Sequence, residues 1–266
     1  MCGTCGCGDT NTTRILTPKE YEQHEHTHEH NHTHDHDHIH DHTHPHDHTH
    51  SHTIEVEQDI LQVNDLAAAR NRGYFEAKNI TALNLVSSPG SGKTSLLEKT
   101  LADLKSKLAF YVIEGDQQTM HDANRIDALQ IPVVQVNTGS GCHLESDMIY
   151  DAVKKLNPKE NSLLMIENVG NLVCPALFDL GEKARVVIIS TTEGDDKPIK
   201  YPDMFAGSEV CIINKIDLLP YLNFDLEKAK EYARKVNPNL VFFEVSATTG
   251  EGMEKWYDWL KEAVNR

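Results

Sequence analysis

Positive charge is scarce in this chain of 266 residues, where 25 lysines and arginines stand against 41 aspartates and glutamates for a formal net charge of −16 at pH 7. Phosphate backbones and anionic bilayers demand a basic patch, so nonspecific binding to nucleic acid or to membrane is disfavoured. Long apolar runs are lacking too. No segment approaches eighteen consecutive apolar residues, and the first residues show no charged region followed by an apolar stretch, so neither membrane spanning nor export is expected. Cysteine is sparse, with six residues in the whole sequence. That is too few for a disulfide framework around a large domain, and a reducing cytoplasm is the expected location.

What the chain has in excess is histidine. Fifteen histidines occupy every second position from His24 to His52. The residues between them are mostly Thr, Asp, Glu and Asn, with a single Ile39 and one Pro45. Neutral imidazole binds nickel, copper and zinc, and an ordinary pKa of about 6.5 leaves most of these rings ligand-competent at pH 7. The tract offers no core to offset its ordering entropy, so residues 9–53 are expected to be a disordered tail that binds metal. At four to six ligands per ion it can hold roughly two to four ions, which suits storage. Ahead of it, Cys2, Cys5 and Cys7 lie among Gly3, Gly6 and Gly8. These glycines let the backbone turn tightly enough to bring three thiolates to one ion, and both square-planar nickel and tetrahedral zinc suit the set.

Residues 80–266 read as one folded domain, preceded by a helix over 54–79 with Ile60, Val63, Ala67 and Tyr74 on a stripe. Short apolar strands are predicted at Thr81–Val86, Phe110–Ile113, Pro132–Val136, Leu163–Ile166, Val186–Ser190, Val210–Ile213 and Leu240–Val245. Helical stretches separate most of them, including Glu145–Leu156, Asp225–Val236 and Gly252–Ala263. This alternation predicts an α/β fold, a mostly parallel sheet with helices on both faces.

The first strand runs into Ser87-Ser88-Pro89-Gly90-Ser91-Gly92-Lys93-Thr94-Ser95 and then a helix with Leu97, Leu101, Leu104 and Leu108 on one face. Backbone N–H groups of such a loop point at phosphate oxygens, Lys93 reaches the β- and γ-phosphates, and the Thr94 hydroxyl binds Mg²⁺. Ser87 stands where the general pattern has Gly. Asn214-Lys215-Ile216-Asp217 follows another strand, and a carboxylate at Asp217 accepts the N1–H and exocyclic amine of guanine, so GTP is preferred over ATP. Ser246 and Ala247 fit a second base-contacting loop. Asp116 and Glu167, at strand ends, are the candidates for further Mg²⁺ contacts, and Gly170 for a backbone contact to the γ-phosphate. No residue stands out as a general base. Cys142, His143 and Cys174 can donate three ligands to one ion, an incomplete set that invites completion across a two-fold axis. Cys211, inside an apolar strand, reads as core. Asp196–Pro202 has no evident role beyond a possible contact to a partner or to nucleotide across a dimer.

Together, the amino-terminal cysteines, the histidine tract, Ser-Ser-Pro-Gly-Ser-Gly-Lys-Thr, Gly-Cys-His-Leu, Glu-Asn-Val-Gly-Asn-Leu-Val-Cys-Pro and Asn-Lys-Ile-Asp resemble the hydrogenase nickel incorporation GTPases, the HypB family. The resemblance covers nearly the whole chain. It implies a P-loop GTPase of the dimerising (SIMIBI) class, using GTP and Mg²⁺, that assists nickel delivery to [NiFe]-hydrogenase. It further implies a tight nickel site at Cys2, Cys5 and Cys7 and a weaker nickel or zinc site at Cys142, His143 and Cys174. The implied partners are a second copy, the small zinc-containing nickel chaperone of that pathway and the hydrogenase large-subunit precursor. Two other classes share part of this pattern: a urease accessory GTPase, whose metal motif resembles Cys-Pro-His where this chain has adjacent Cys142 and His143, and a metal-storage protein without GTPase activity.

Overall fold

The computed structural model describes residues 13–25, 50–117, 120–139 and 141–265. Cys2, Cys5 and Cys7 and the histidines between 26 and 49 lie outside them. Along the chain run β1 (Arg14–Leu16), α1 (Pro18–Glu25), α2 (His50–Ala77), β2 (Thr81–Ser87), α3 (Lys93–Leu104), β3 (Phe110–Asp116) and α4 (His121–Asp127). β4 (Val133–Asn137), α5 (Ser146–Leu156), β5 (Leu163–Glu167), α6 (Cys174–Leu177), β6 (Ala184–Ser190), α7 (Lys197–Lys200) and α8 (Pro202–Ala206) follow. The chain closes with β7 (Val210–Asn214), a 3-10 turn at Ile216–Tyr221, α9 (Leu226–Val236), β8 (Val241–Glu244) and α10 (Met253–Asn265).

The strands form one sheet in the order β1-β4-β3-β5-β2-β6-β7-β8, parallel throughout except for β1. All seven predicted strands are present. β2 is buried along its whole length because helices cover both of its faces. Leu83 and Leu85 pack on one side with Leu97, Leu101 and Trp256, whereas Ala82 turns to the other with Phe75 and Ile149. Each leucine fully removed from water contributes on the order of 1.5–3 kcal/mol. The strand order reverses around β2, since β5 flanks it on one side and β6 on the other. Open α/β sheets bind ligands at such a switch point, beyond the carboxyl ends of the strands.

Helix α2 begins at His50, earlier than the sequence pattern predicts, and packs on the domain. Two buried amides fasten it: Asn64 donates to the Asp179 carbonyl and accepts from the Ser146 N–H, and Asn71 donates to the Ser146 and Leu180 carbonyls.

The expectation of a structureless tail over residues 9–53 is corrected at its start. β1 pairs antiparallel with the outer edge of β4, matching Arg14 to Asn137, Ile15 to Val136 and Leu16 to Gln135. An open strand edge offers unsatisfied backbone groups, and this short segment covers them. α1 then begins with a capping box. The Glu20 carboxylate accepts from the Thr17 N–H at 2.7 Å and from its hydroxyl at 2.8 Å, and Pro18 takes the first helical position. Lys155 on α5 pairs with Glu20 at 2.7 Å and donates to the Ile15 carbonyl at 2.8 Å. The Lys155 and Thr17 contacts hold the Glu20 carboxyl down to about 2, against an ordinary 4.5. A depressed carboxylate contributes stability above its unfolded pKa and loses it as pH falls toward the folded one. Docking of residues 13–21 is therefore complete above about pH 4.5 and weakens as pH drops toward 2. Hydrogen exchange at Ile15–Tyr21, corrected for intrinsic rates, is expected to rise across that window in the native chain, and Glu20→Gln to remove the pH dependence.

Candidate functional site

The loop between β2 and α3 turns on Gly90 and Gly92, at φ +78° and +86°. A Cβ on Gly92 would come within 2.6 Å of Asn214 Nδ2, so the close approach of the two loops requires glycine there. Asn214 donates to the Ser91 carbonyl at 3.0 Å, and Lys215 Nζ to the Gly90 carbonyl at 2.7 Å. Asn214 Oδ1 accepts from the Ala247 N–H at 3.2 Å, which ties the loop after β8 to the same point. The two predicted base-contacting segments and the phosphate loop thus form one assembly. Asp217 Oδ1 is buried in it without a hydrogen-bond partner, an acceptor waiting for a donor.

A cavity of about 280 Å³ lies over the phosphate loop, lined by Ser87–Ser95, Glu114, Gly115, Asp116, Asp122, Arg125, Glu167 and Gly170. Every residue predicted for phosphate or Mg²⁺ contact borders it. Inside, Lys93 Nζ meets Glu167 Oε1 at 2.6 Å, with the two side chains 9% and 1% exposed. Thr94 Oγ1 donates to the same oxygen at 2.6 Å and lies 3.2 Å from Asp122 Oδ2. The close carboxylate cluster differs from the one read in the sequence. Glu114, Asp122 and Glu167 bring one oxygen each within 4.8 Å of one another, whereas Asp116 stands at the cavity margin with Oδ1 accepting from the Gln117 N–H. Asp122 belongs to no recognisable motif, and Glu114 sits on the same strand face as Asp116, one pleat deeper.

Burial, then the Glu167 charge, pushes the Glu114 carboxyl well above the ordinary carboxylate range. Burial opposes ionisation of Glu167 as well, but the Lys93 ammonium and hydrogen bonds from Glu114, Lys93 and Thr94 outweigh it and hold that group below its ordinary value. The pair therefore shares one proton, carried by Glu114. Glu114 Oε2 and Glu167 Oε2 remain buried with no hydrogen-bond partner. Hard oxygen donors with unsatisfied lone pairs beside a threonine hydroxyl fit a magnesium ion.

The third cluster joins Cys142 and His143, in the loop from β4 to α5, with Cys174 at the start of α6; one donor atom of each lies within 4.8 Å of the others. Cys142 Sγ is 3.7 Å from His143 Nδ1. Sulfur and nitrogen on one tetrahedral zinc lie about 3.6 Å apart at ordinary bond lengths, so the pair is close to ligand geometry. His143 is buried, its ring stacked on Phe178 at 3.9 Å between centroids. Its Nε2 lies 3.5 Å from Glu145 Oε1 without forming a hydrogen bond. Sequence reasoning named the three residues that the structure brings together but neither Phe178 nor Glu145. Cys211 is buried in the core, its thiol pushed up to about 12 by burial.

Two contacts join this cluster to the nucleotide cavity. Asn168, next to Glu167, accepts from the Leu144 N–H at 3.2 Å, next to His143. The Leu144 side chain also packs over Gly115, where a Cβ would meet Leu144 Cδ1 at 2.8 Å.

The profile of the CobW/HypB/UreG nucleotide-binding domain matches residues 81–244. The chain is 57% identical over 208 residues to the hydrogenase maturation factor HypB of Escherichia coli K12, covering 78% of this chain and 72% of that protein. It is 56% identical over 213 residues to HypB of Rhizobium leguminosarum bv. viciae, covering 80% and 71%. Among solved structures, HypB of Archaeoglobus fulgidus superposes with a TM-score of 0.71 at 37% identity, covering 76% of this chain and 99% of that one. HypB of Helicobacter pylori in complex with nickel gives 0.71 at 39%, covering 76% and 95%. A profile match over more than half of the chain, together with relatives 56–57% identical over most of it, places the chain among the HypB hydrogenase maturation factors of the CobW/HypB/UreG family.

Proposed function

We propose that this chain hydrolyses GTP and uses the cycle to hold and release a metal ion, nickel or zinc, at Cys142, His143 and Cys174, assisting nickel delivery to a hydrogenase. One observation carries the reading: Glu167 and Asn168 are consecutive, the first in the phosphate cavity and the second bonded to the Leu144 N–H of the metal loop. A shift of the β5 end on nucleotide binding moves both sites together.

GTP enters with its phosphates on the backbone N–H groups from Ser88 to Ser95 and its base against Asn214, Lys215, Asp217, Ser246 and Ala247. Lys93 exchanges the Glu167 carboxylate for phosphate oxygens. Thr94, Glu167 and Asp116, with Asp122 and Glu114 nearby, are the residues that would hold a Mg²⁺ ion. The ion supplies charge neutralisation for the developing phosphate charge. Gly170, whose added Cβ would stand 3.3 Å from Pro89 Cα, brings its backbone N–H to the γ-phosphate. At the metal site, His143 binds through Nδ1, and Glu145 fixes the ring by accepting from Nε2–H, as a carboxylate behind a ligating histidine does. Three ligands leave a fourth position, consistent with a homodimer sharing the ion across its axis. Cys2, Cys5 and Cys7 hold nickel tightly, the alternate histidines from His24 to His52 store it, and the cytoplasmic partners are the small zinc-containing nickel chaperone and the hydrogenase large-subunit precursor.

Asp217→Asn is expected to weaken GTP binding on the order of 100-fold and to favour xanthosine triphosphate, whose O2 accepts from the new amide; competition binding measures both. In a chain with residues 26–49 excised and Cys2, Cys5 and Cys7 changed to Ser, nickel affinity is expected to differ at least about fivefold between the GTP and GDP states. Equal affinities would overturn the proposed coupling, because a ligand without differential affinity shifts nothing. In that same background Cys142→Ala is expected to remove the remaining nickel site and Glu145→Gln to weaken it roughly 10–100-fold, both with GTP affinity retained. Excision of residues 26–49 alone is expected to lower nickel capacity by roughly two to three ions per chain, with GTP turnover changed by less than about twofold.

A further inference from the structure

We propose that Arg125 is a nucleotide-binding residue: it leaves its two carboxylate partners when GTP or GDP enters and contacts the α-phosphate beside Ser95. The inference rests on the reading that this cavity takes a guanine nucleotide. Charge balance points to it first. The residues lining the cavity over the phosphate loop include two cationic side chains, Lys93 and Arg125, and four carboxyls, Glu114, Asp116, Asp122 and Glu167. A polyphosphate entering so acidic a space draws on every cation that borders it. A guanidinium also matches phosphate oxygens in a bidentate way that an ammonium does not.

Both cations are engaged beforehand. Lys93 is paired with Glu167. Arg125 Nη1 lies 3.1 Å from Asp122 Oδ1, and its Nη2 lies 2.5 Å from Glu98 Oε2 and 3.4 Å from Ser95 Oγ. The guanidinium and both carboxylates are each about a third exposed, so water screens these pairs and they cost little to break. Asp122 has a second attachment, since its Oδ2 lies 3.2 Å from Thr94 Oγ1. Departure of Arg125 therefore leaves that carboxylate facing Thr94 and the Glu114 and Glu167 oxygens, where it already clusters.

Position along the loop selects the phosphate. Gly170 stands against Pro89, near the start of the loop, where the γ-phosphate is expected. Ser95 closes the same loop, so the phosphate beside it is the one nearest the nucleoside. GTP and GDP share that phosphate. A purely structural role for Arg125 is redundant: α4 is already fixed by Ala123 and Ile126, fully buried in the same apolar cluster as Leu97 and Leu101 of α3.

Affinities of the full chain for GTP and GDP, read by competition against a fluorescent guanine nucleotide, test the assignment. Arg125→Gln is expected to weaken both by the same factor, about 10–100-fold, with the loss appearing in KM rather than in kcat. Glu98→Gln removes a competitor for the guanidinium and is expected to tighten both by up to about fivefold, an effect that vanishes in the Arg125→Gln background. A brace between α3 and α4 would give the opposite sign, because removing either partner loosens it. One diastereomer of GDP with sulfur on the α-phosphate is expected to bind the native chain several-fold more weakly than GDP, and to bind the Arg125→Gln chain as well as GDP does. Unchanged affinities in Arg125→Gln, a loss confined to GTP, or weaker binding in Glu98→Gln would overturn the contact. A native chain that bound neither nucleotide would remove the guanine-nucleotide reading itself.

Discussion

A charged pair in a nearly dry cavity constrains the rest of this molecule. Lys93 and Glu167 meet at 2.6 Å with almost no exposure, on the first residue of α3 and the last of β5. Leaving either charge alone at that depth would cost several kcal/mol, and each is held by more than the other. Glu167 also receives Thr94 and the proton of Glu114. Around these groups the sheet must keep β2, β3 and β5 adjacent with their carboxyl ends level, which the registers of Leu85 with Glu167 and Glu114 with Glu167 achieve. The register of β2, β3 and β5 thus brings together the residues that line the cavity over the phosphate loop.

The same end of the sheet also carries the Cys142, His143 and Cys174 cluster, and its contact with the phosphate cavity is backbone as well as side chain. Asn168 reaches the Leu144 N–H, and its neighbour Val169 donates back to the Asn168 side chain at 3.0 Å. Leu144 packs over the glycine between Glu114 and Asp116. Packed contacts of this kind switch between discrete arrangements, because a close-packed interior cannot absorb a small displacement smoothly. Phe178 extends the connection, stacking on His143 beside Asp179, which pairs with Arg72 of α2. Helix α2 is therefore fastened close to the His143 ring.

Much of this was legible in the sequence. Periodicity located seven strands because strands buried on both faces read as apolar runs, and the Gly-Lys-Thr and Asn-Lys-x-Asp strings carry chemistry in a fixed local frame. Two kinds of feature escaped. Side chains that meet through tertiary packing, such as Asp122, Glu145 and Phe178, have no spacing to announce them. Glu114 and Asp116 share a strand face, and only the depth of the cavity separates a buried carboxyl from one at the margin. The segment Arg14–Glu25 was missed for a different reason. A histidine-rich neighbourhood masks its three-residue strand, although Thr17-Pro18-Lys19-Glu20 spells a capping box that local reasoning can find.

That short strand changes how the segment ahead of α2 relates to the domain. A tail joined only through a helix at residue 54 would sample a wide volume, and its distance from Cys142 would be set by the length of the histidine tract. With β1 docked on β4, residues 13–21 are fixed to the domain independently of the length of sequence between Glu25 and His50. Loop-closure entropy grows only slowly with length, so the tract can lengthen or shorten with little effect on the fold or on the cysteine segment. The fold around β4 is then independent of the length of that connection, because the register of Arg14 with Asn137 is fixed by contacts within residues 13–21 and α5.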